Sequence, residues 1–258
     1  MSKVQKAFEN GKAFIGFVTG GDPSIEKSCE LILNMAESGA DLIEIGIPFS
    51  DPIAEGPVIQ EANIRALLAG ADTEAMFRIV ETVRKQTEVP LVFLTYLNPV
   101  FKYGYERFFA RCESVGLDGI IIPDLPFEEK GELSGIAESH HVDVISLIEP
   151  TSADRIRKIA AEAKGFLYIV SSMGVTGMRS EIKTDLASII ETARSASKIP
   201  VAVGFGINTP EQARKISKLA DGVIVGSAIV KLIEQYGENA GGPLSAYVKE
   251  MKDSLRPR

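Results

Sequence analysis

Within "SIEKSCELILNMAESGADLIEIGI", residues 24–47, the hydrophobic period changes. Over residues 24–40, Ile25, Cys29, Ile32, Leu33 and Ala36 fall on one face of a helix, and Gly39 gives the backbone the freedom to end it. From residue 41 the pattern gives way to "DLIEIGI", a short run rich in isoleucine that reads as a strand buried on both sides. A helix that feeds directly into such a strand is half of a parallel βα repeat.

The same unit recurs along the chain. Seven further runs read as strands: "FIGFVTG" (14–20), "PLVFLTY" (90–96), "DGIIIPD" (118–124), "DVISLIE" (143–149), "GFLYIVS" (165–171), "IPVAVGFGI" (199–207) and "DGVIVGS" (221–227). Helical periodicity fills the intervals at 105–116, 128–141, 152–165, 184–197 and 209–220, where Thr209 caps and Pro210 suits the first turn. Eight such units with no Pro/Ser/Gly-rich linker predict a closed (β/α)₈ TIM barrel, a single domain over residues 1–258. A doubly wound open sheet is the alternative. Its GxGxxG signature is missing, since "VTGGDPS" offers only Gly20 and Gly21. The longest interval, between strands two and three, holds two extra helices near 57–70 and 72–86. In a barrel that insertion lies on the catalytic face.

Composition narrows the function classes. The 258 residues carry 28 Lys and Arg against 35 Asp and Glu, a formal charge of −7, with no basic cluster to attract nucleic acid or an anionic membrane. No apolar run is long enough to span a bilayer, and "MSKVQKAFENGK" has no signal-peptide core, so a cytoplasmic protein is expected. Cys29 and Cys112 lack CxxC spacing and are expected to be reduced, buried and structural. His140 and His141 are expected at the surface, and no metal-ligand spacing is evident.

One carboxylate breaks the pattern. Alternation in strand two puts Leu42, Glu44 and Gly46 on the inward face and Ile43, Ile45 and Ile47 on the outward one. Glu44 then points into the barrel near its mouth, with Gly46 above it leaving room for a ligand. The other strand cores offer no cation to pair with it, and desolvation would raise its pKa toward neutrality, which suits a proton shuttle. Asp51 and Glu55 follow in "SDPIAEGP", where residue type alone does not separate solvated loop acids from the second member of an acid/base pair. "GFGINTPEQ" (204–212) and "VGSAIVK" (225–231) end strands seven and eight with glycines before helices. Free N–H groups there suit a phosphate dianion. "SSMGVTGMRSEIK" (171–183) reads as a lid or as a plain connector.

The pieces together resemble one family, the α subunit of tryptophan synthase. The similarity is carried by "FVTGGDP" (17–23), "LIEIGIPFSDPIAEGPVIQ" (42–60), "TYLNPVFKYG" (95–104), "PDLPFEE" (123–129), "YIVSSMGVTG" (168–177), "GFGI" (204–207) and "GSAIV" (226–230). It implies retro-aldol cleavage of indole-3-glycerol phosphate to indole and glyceraldehyde 3-phosphate, with Glu44 as general acid/base and Glu55 as the carboxylate that stabilises charge at the indole N–H. By the same resemblance Phe17, Ile59, Leu94 and Tyr168 line the indole pocket. Gly177, Gly206, Gly226 and Ser227 hold phosphate, and Thr176 closes over Glu55. Asp124 and the 98–104 segment face or signal to a β subunit, in an α2β2 assembly, that carries pyridoxal phosphate; the chain itself then needs no cofactor. Two positions depart from the family pattern: Glu55 stands where Asp is usual, and Ser172 where Arg is common. Alternatives within reach of the same sequence are a mainly regulatory partner subunit and another phosphate-binding barrel such as a sugar-phosphate isomerase.

Overall fold

The computed structural model describes residues 2–171, 182–204 and 206–256. Its strands are β1 (Ala13–Thr19), β2 (Leu42–Gly46), β3 (Leu91–Leu94), β4 (Gly119–Ile121), β5 (Asp143–Ile148), β6 (Lys164–Val170), β7 (Val201–Gly204) and β8 (Gly222–Val225). They pair in chain order and all in parallel, and β1 also pairs with β8, so the sheet closes. Closure excludes the open doubly wound alternative.

The helices are α1 (Lys3–Lys6), α2 (Ile25–Glu37), α3 (Pro57–Leu68), α4 (Thr73–Arg84), α5 (Leu97–Tyr103), α6 (Tyr105–Val115), α7 (Gly131–Ser139), α8 (Ala153–Ala161), α9 (Ile182–Ala196), α10 (Pro210–Ser217), α11 (Ser227–Tyr236) and α12 (Gly241–Asp253). Several start where the sequence offers a cap. Ser24, Asp72, Ser152 and Thr209 accept from the backbone N–H three residues on, and Thr209 and Gln212 complete a capping box. Gly39 and Gly116 follow α2 and α6 with positive φ of 103° and 74°, a conformation that costs glycine little. The insertion after β2 is α3 and α4, as the sequence predicts. Helices α1, α5 and α12 are additions that the periodicity did not assign.

Side chains of the strands sort by alternation between an inner and an outer core, and Phe17, Ala62 and Val230 form a small cluster of their own. Ile15, Leu42, Val92, Ile121, Ile145, Phe166, Tyr168, Ala202 and Ile224 fill the barrel, and Val4, Ala7 and Phe8 join them. The Phe8 ring packs tilted against Phe166, with 5.6 Å between centroids. Ile43, Ile45 and Ile47 belong to the outer core between sheet and helices, as their alternation requires. Cys112 is buried and Cys29 only half-buried, so the expectation of burial holds for one of the two. His140 is partly buried between Glu113 and Glu106, at 2.7 and 3.1 Å, and its surroundings raise its pKa chiefly through those two hydrogen bonds; His141 is exposed.

Candidate active site

A cavity of about 1030 Å³ opens at the mouth of the barrel. Phe17, Glu44, Glu55, Ile59, Leu94, Tyr168, Gly206, Gly226 and Ser227, every described residue expected at the site, line it. They come from β1, β2, β3 and β6, the insertion, and the segments after β7 and β8. Thr176, Gly177 and Ser172 lie outside the described residues.

Glu44 is fixed by register. On β2 it sits opposite Phe17 of β1 and Val92 of β3, and it is 1% exposed. Its Oε1 has no hydrogen-bond partner among the described residues. Burial pushes its pKa up to about 8. Tyr168, across the barrel on β6, has its phenol raised well above its ordinary value by burial and then by the Glu44 charge. The phenol also explains a glycine: a Cβ on Gly204 would meet the Tyr168 hydroxyl at 2.3 Å.

Gly46 corrects one expectation. A Cβ there would lie 2.7 Å from the Phe17 ring, so the space that Gly46 leaves is taken by that ring and not by a ligand. Phe17 thereby becomes the apolar wall of the cavity next to the acid.

Glu55 is held by two neighbours that sequence reasoning missed. Asn63, buried on α3, donates from Nδ2 to Glu55 Oε2 at 2.6 Å, and the Tyr96 phenol also hydrogen-bonds Glu55. Burial raises the Glu55 pKa, while both hydrogen bonds pull it back down. Tyr96 Oη accepts from the Ala54 N–H at 3.1 Å and so fixes the loop as well as the carboxylate. Asn63 lies eight residues after Glu55 and is a polar residue on the apolar side of α3, beside buried Ala62 and Ala66. That is a faint signal of the pairing. Asp51 is exposed and accepts from the Ser50 hydroxyl, a loop-shaping contact away from the cavity lining.

At the other side of the mouth α11 begins with Gly226 as its N-cap and no side-chain capping bond. Its first N–H groups are therefore open to an anion. Gly206 faces the same space with a φ of 75°, which favours glycine. Among the described residues no group of three or more His, Cys, Asp or Glu could hold a metal ion.

A family profile described as "Tryptophan synthase alpha chain" matches residues 3–256. The chain belongs to the tryptophan synthase alpha chain family. The alpha chain of Lacticaseibacillus casei is 48% identical over 252 residues, covering 98% of this chain and 95% of that one. The solved alpha subunit from Legionella pneumophila superposes with a TM-score of 0.89 at 36% identity, covering 99% of this chain and 98% of its own. A chain of the tryptophan synthase α2β2 complex from the hyperthermophile Pyrococcus furiosus superposes with a TM-score of 0.86 at 37% identity, covering 93% and 98% respectively. These relatives favour neither an isomerase nor a purely regulatory reading. Within the family the reaction class is that of a lyase.

Proposed function

We propose that this chain, acting as one unit over residues 1–258, cleaves indole-3-glycerol phosphate with Glu44 and Glu55 as its working carboxylates. The observation that carries the reading is Glu44: buried, with Oε1 unpartnered among the described residues, and with a pKa that burial pushes up to about 8. The protonated carboxyl gives its proton to indole C3, and positive charge then develops at the indole N–H, which the Glu55 carboxylate faces. Glu44, now ionised, takes the proton of the side-chain hydroxyl. The carbon–carbon bond breaks, its electrons return to the ring, and indole and glyceraldehyde 3-phosphate leave with Glu44 again protonated. Each proton has a source and an acceptor, and this chain needs no cofactor for either step.

Phe17, Ile59, Leu94 and Tyr168 supply the apolar lining for the indole, while Gly206, Gly226 and Ser227 receive the phosphate. Product indole passes to a β subunit, where pyridoxal phosphate is expected to serve its condensation with serine. The surface assigned to that partner lies beside the Glu55 loop. Ile53 and Phe101 are 78% and 68% exposed there, and Asp124 Oδ1 caps the start of α5 by accepting from the Leu97 N–H at 2.8 Å. The absence of a described helix long and apolar enough to cross a membrane accords with a cytoplasmic enzyme. Glu44→Gln keeps the shape and removes the exchangeable proton. Its turnover should fall by roughly 10²–10⁴-fold, and indole release at the native rate would reject the assignment.

A further inference from the structure

Charge around the cavity is sorted by position. The carboxylates Glu44, Glu55 and Glu149 come from β2, the loop behind it and the end of β5. Lys231, from α11 behind β8, is the one Lys or Arg among the described lining residues. Glu149 and Lys231 thus stand well apart around the mouth, because β5 and β8 are not neighbours in the ring.

The position of Lys231 on its helix matters. It follows Ser227 by four residues, one turn along the same face, and both side chains line the cavity. Side chains on a helix lean toward its N-terminus, and the Lys231 stem is long enough to bring its ammonium back toward the first turn, where the N–H groups are open. The neighbouring acid on α11, Glu234, is engaged by Arg65 at 3.1 Å. Lys231 itself is exposed and makes no ion pair among the described residues. A cavity-lining ammonium one turn from an uncapped helix start is within reach of a dianion held there.

We propose that Lys231 is a phosphate-binding residue of this enzyme, its charge adding to the helix-start N–H groups that receive the substrate phosphate. This rests on the assignment of the substrate phosphate to α11.

The test compares the full wild-type chain with Lys231→Gln and Lys231→Arg. Equilibrium titrations use glycerol 3-phosphate and, separately, indole, and steady-state cleavage of indole-3-glycerol phosphate is measured at low and high salt. K231Q should weaken glycerol 3-phosphate about five- to tenfold and raise KM to match, while indole affinity and kcat stay within about twofold. K231R should restore most of the loss, and salt should weaken the wild type more than K231Q. K231Q binding glycerol 3-phosphate as tightly as wild type overturns the inference and leaves the lyase reading intact. K231R as weak as K231Q overturns the charge role. Failure of the wild type to bind glycerol 3-phosphate at all, with cleavage absent, removes the phosphate assignment on which the inference stands.

Discussion

Glu44 costs the fold stability in exchange for its chemistry. Its folded pKa of about 8 lies above the ordinary carboxyl value of 4.5. Below the lower value both states hold the proton and the burial carries no ionic penalty. As pH rises between the two values the unfolded chain releases the proton and the folded chain does not, so stability falls until the folded group ionises near pH 8. Glu44→Gln should therefore gain stability over wild type as pH rises from about 4.5 to 8, by an amount on the order of 4 kcal/mol at the upper end. Chemical denaturation at the two pH values measures it, and a pH-independent difference contradicts the buried neutral acid. Glu55 behaves differently because Asn63 and Tyr96 hold it. Asn63→Ala removes one charge-assisted bond of about 1.5–3 kcal/mol, and kcat/KM should fall about tenfold or more. An unchanged kcat/KM would mean that the carboxylate is placed by the loop alone. Glu44 was legible in the sequence because an acid inside an isoleucine strand is anomalous. Asn63, Tyr96 and Lys231 were not, since each reaches the site from another element and only the closed barrel brings them together.

At the scale of elements, α3 carries the site because it is clamped at both sides. Arg65 donates to both oxygens of buried Asp22, from Nε at 2.9 Å and Nη2 at 2.8 Å, and its Nη1 reaches Glu234 of α11 at 3.1 Å. One guanidinium thus ties the β1–α2 loop, the insertion helix and the phosphate-side helix together, and its planar fork suits the bidentate contact. The strands were legible because burial on both faces leaves a run of β-branched residues. Three helices were not. Helix α5 has seven residues and contains Pro99, too short for a second turn of periodicity to show, and α12 opens with "GGP", which reads as a break. The N-terminal α1 is a four-residue turn whose significance lies in where Val4 packs, inside the barrel.

For the whole molecule, one device recurs at the end of the barrel opposite the cavity. Asp41, Asp118 and Asp221 each precede an even-numbered strand, and each accepts the first or second N–H of the strand before it: Phe14 at 2.7 Å, Leu91 at 2.9 Å and Val201 at 3.0 Å. A cation secures each acid, with Lys252, Arg84 and Arg194 at 2.6, 2.7 and 2.9 Å. The fragments "GADLIE", "GLDGII" and "LADGVI" carry this repeat in the sequence, although its partners could not be read there. Residues at this end serve closure of the barrel and not chemistry. Asp118→Ala leaves a largely buried Arg84 without its carboxylate, though Arg84 still donates to the carbonyls of Gly116 and Val89. A loss of about 3 kcal/mol in unfolding free energy is expected, with kcat of the folded enzyme within about twofold. A large fall in kcat with unchanged stability would contradict this division between the two ends.

Cleavage in this barrel starts from a protonated Glu44. The most direct measurement is the pH dependence of kcat/KM for indole-3-glycerol phosphate cleavage, which reports ionisations of the free enzyme. A buried acid ionising at about 8 predicts a rate that falls above that pH in the wild type. A profile that stays flat well beyond it, or the same alkaline limb persisting in Glu44→Gln, would contradict Glu44 as the proton donor.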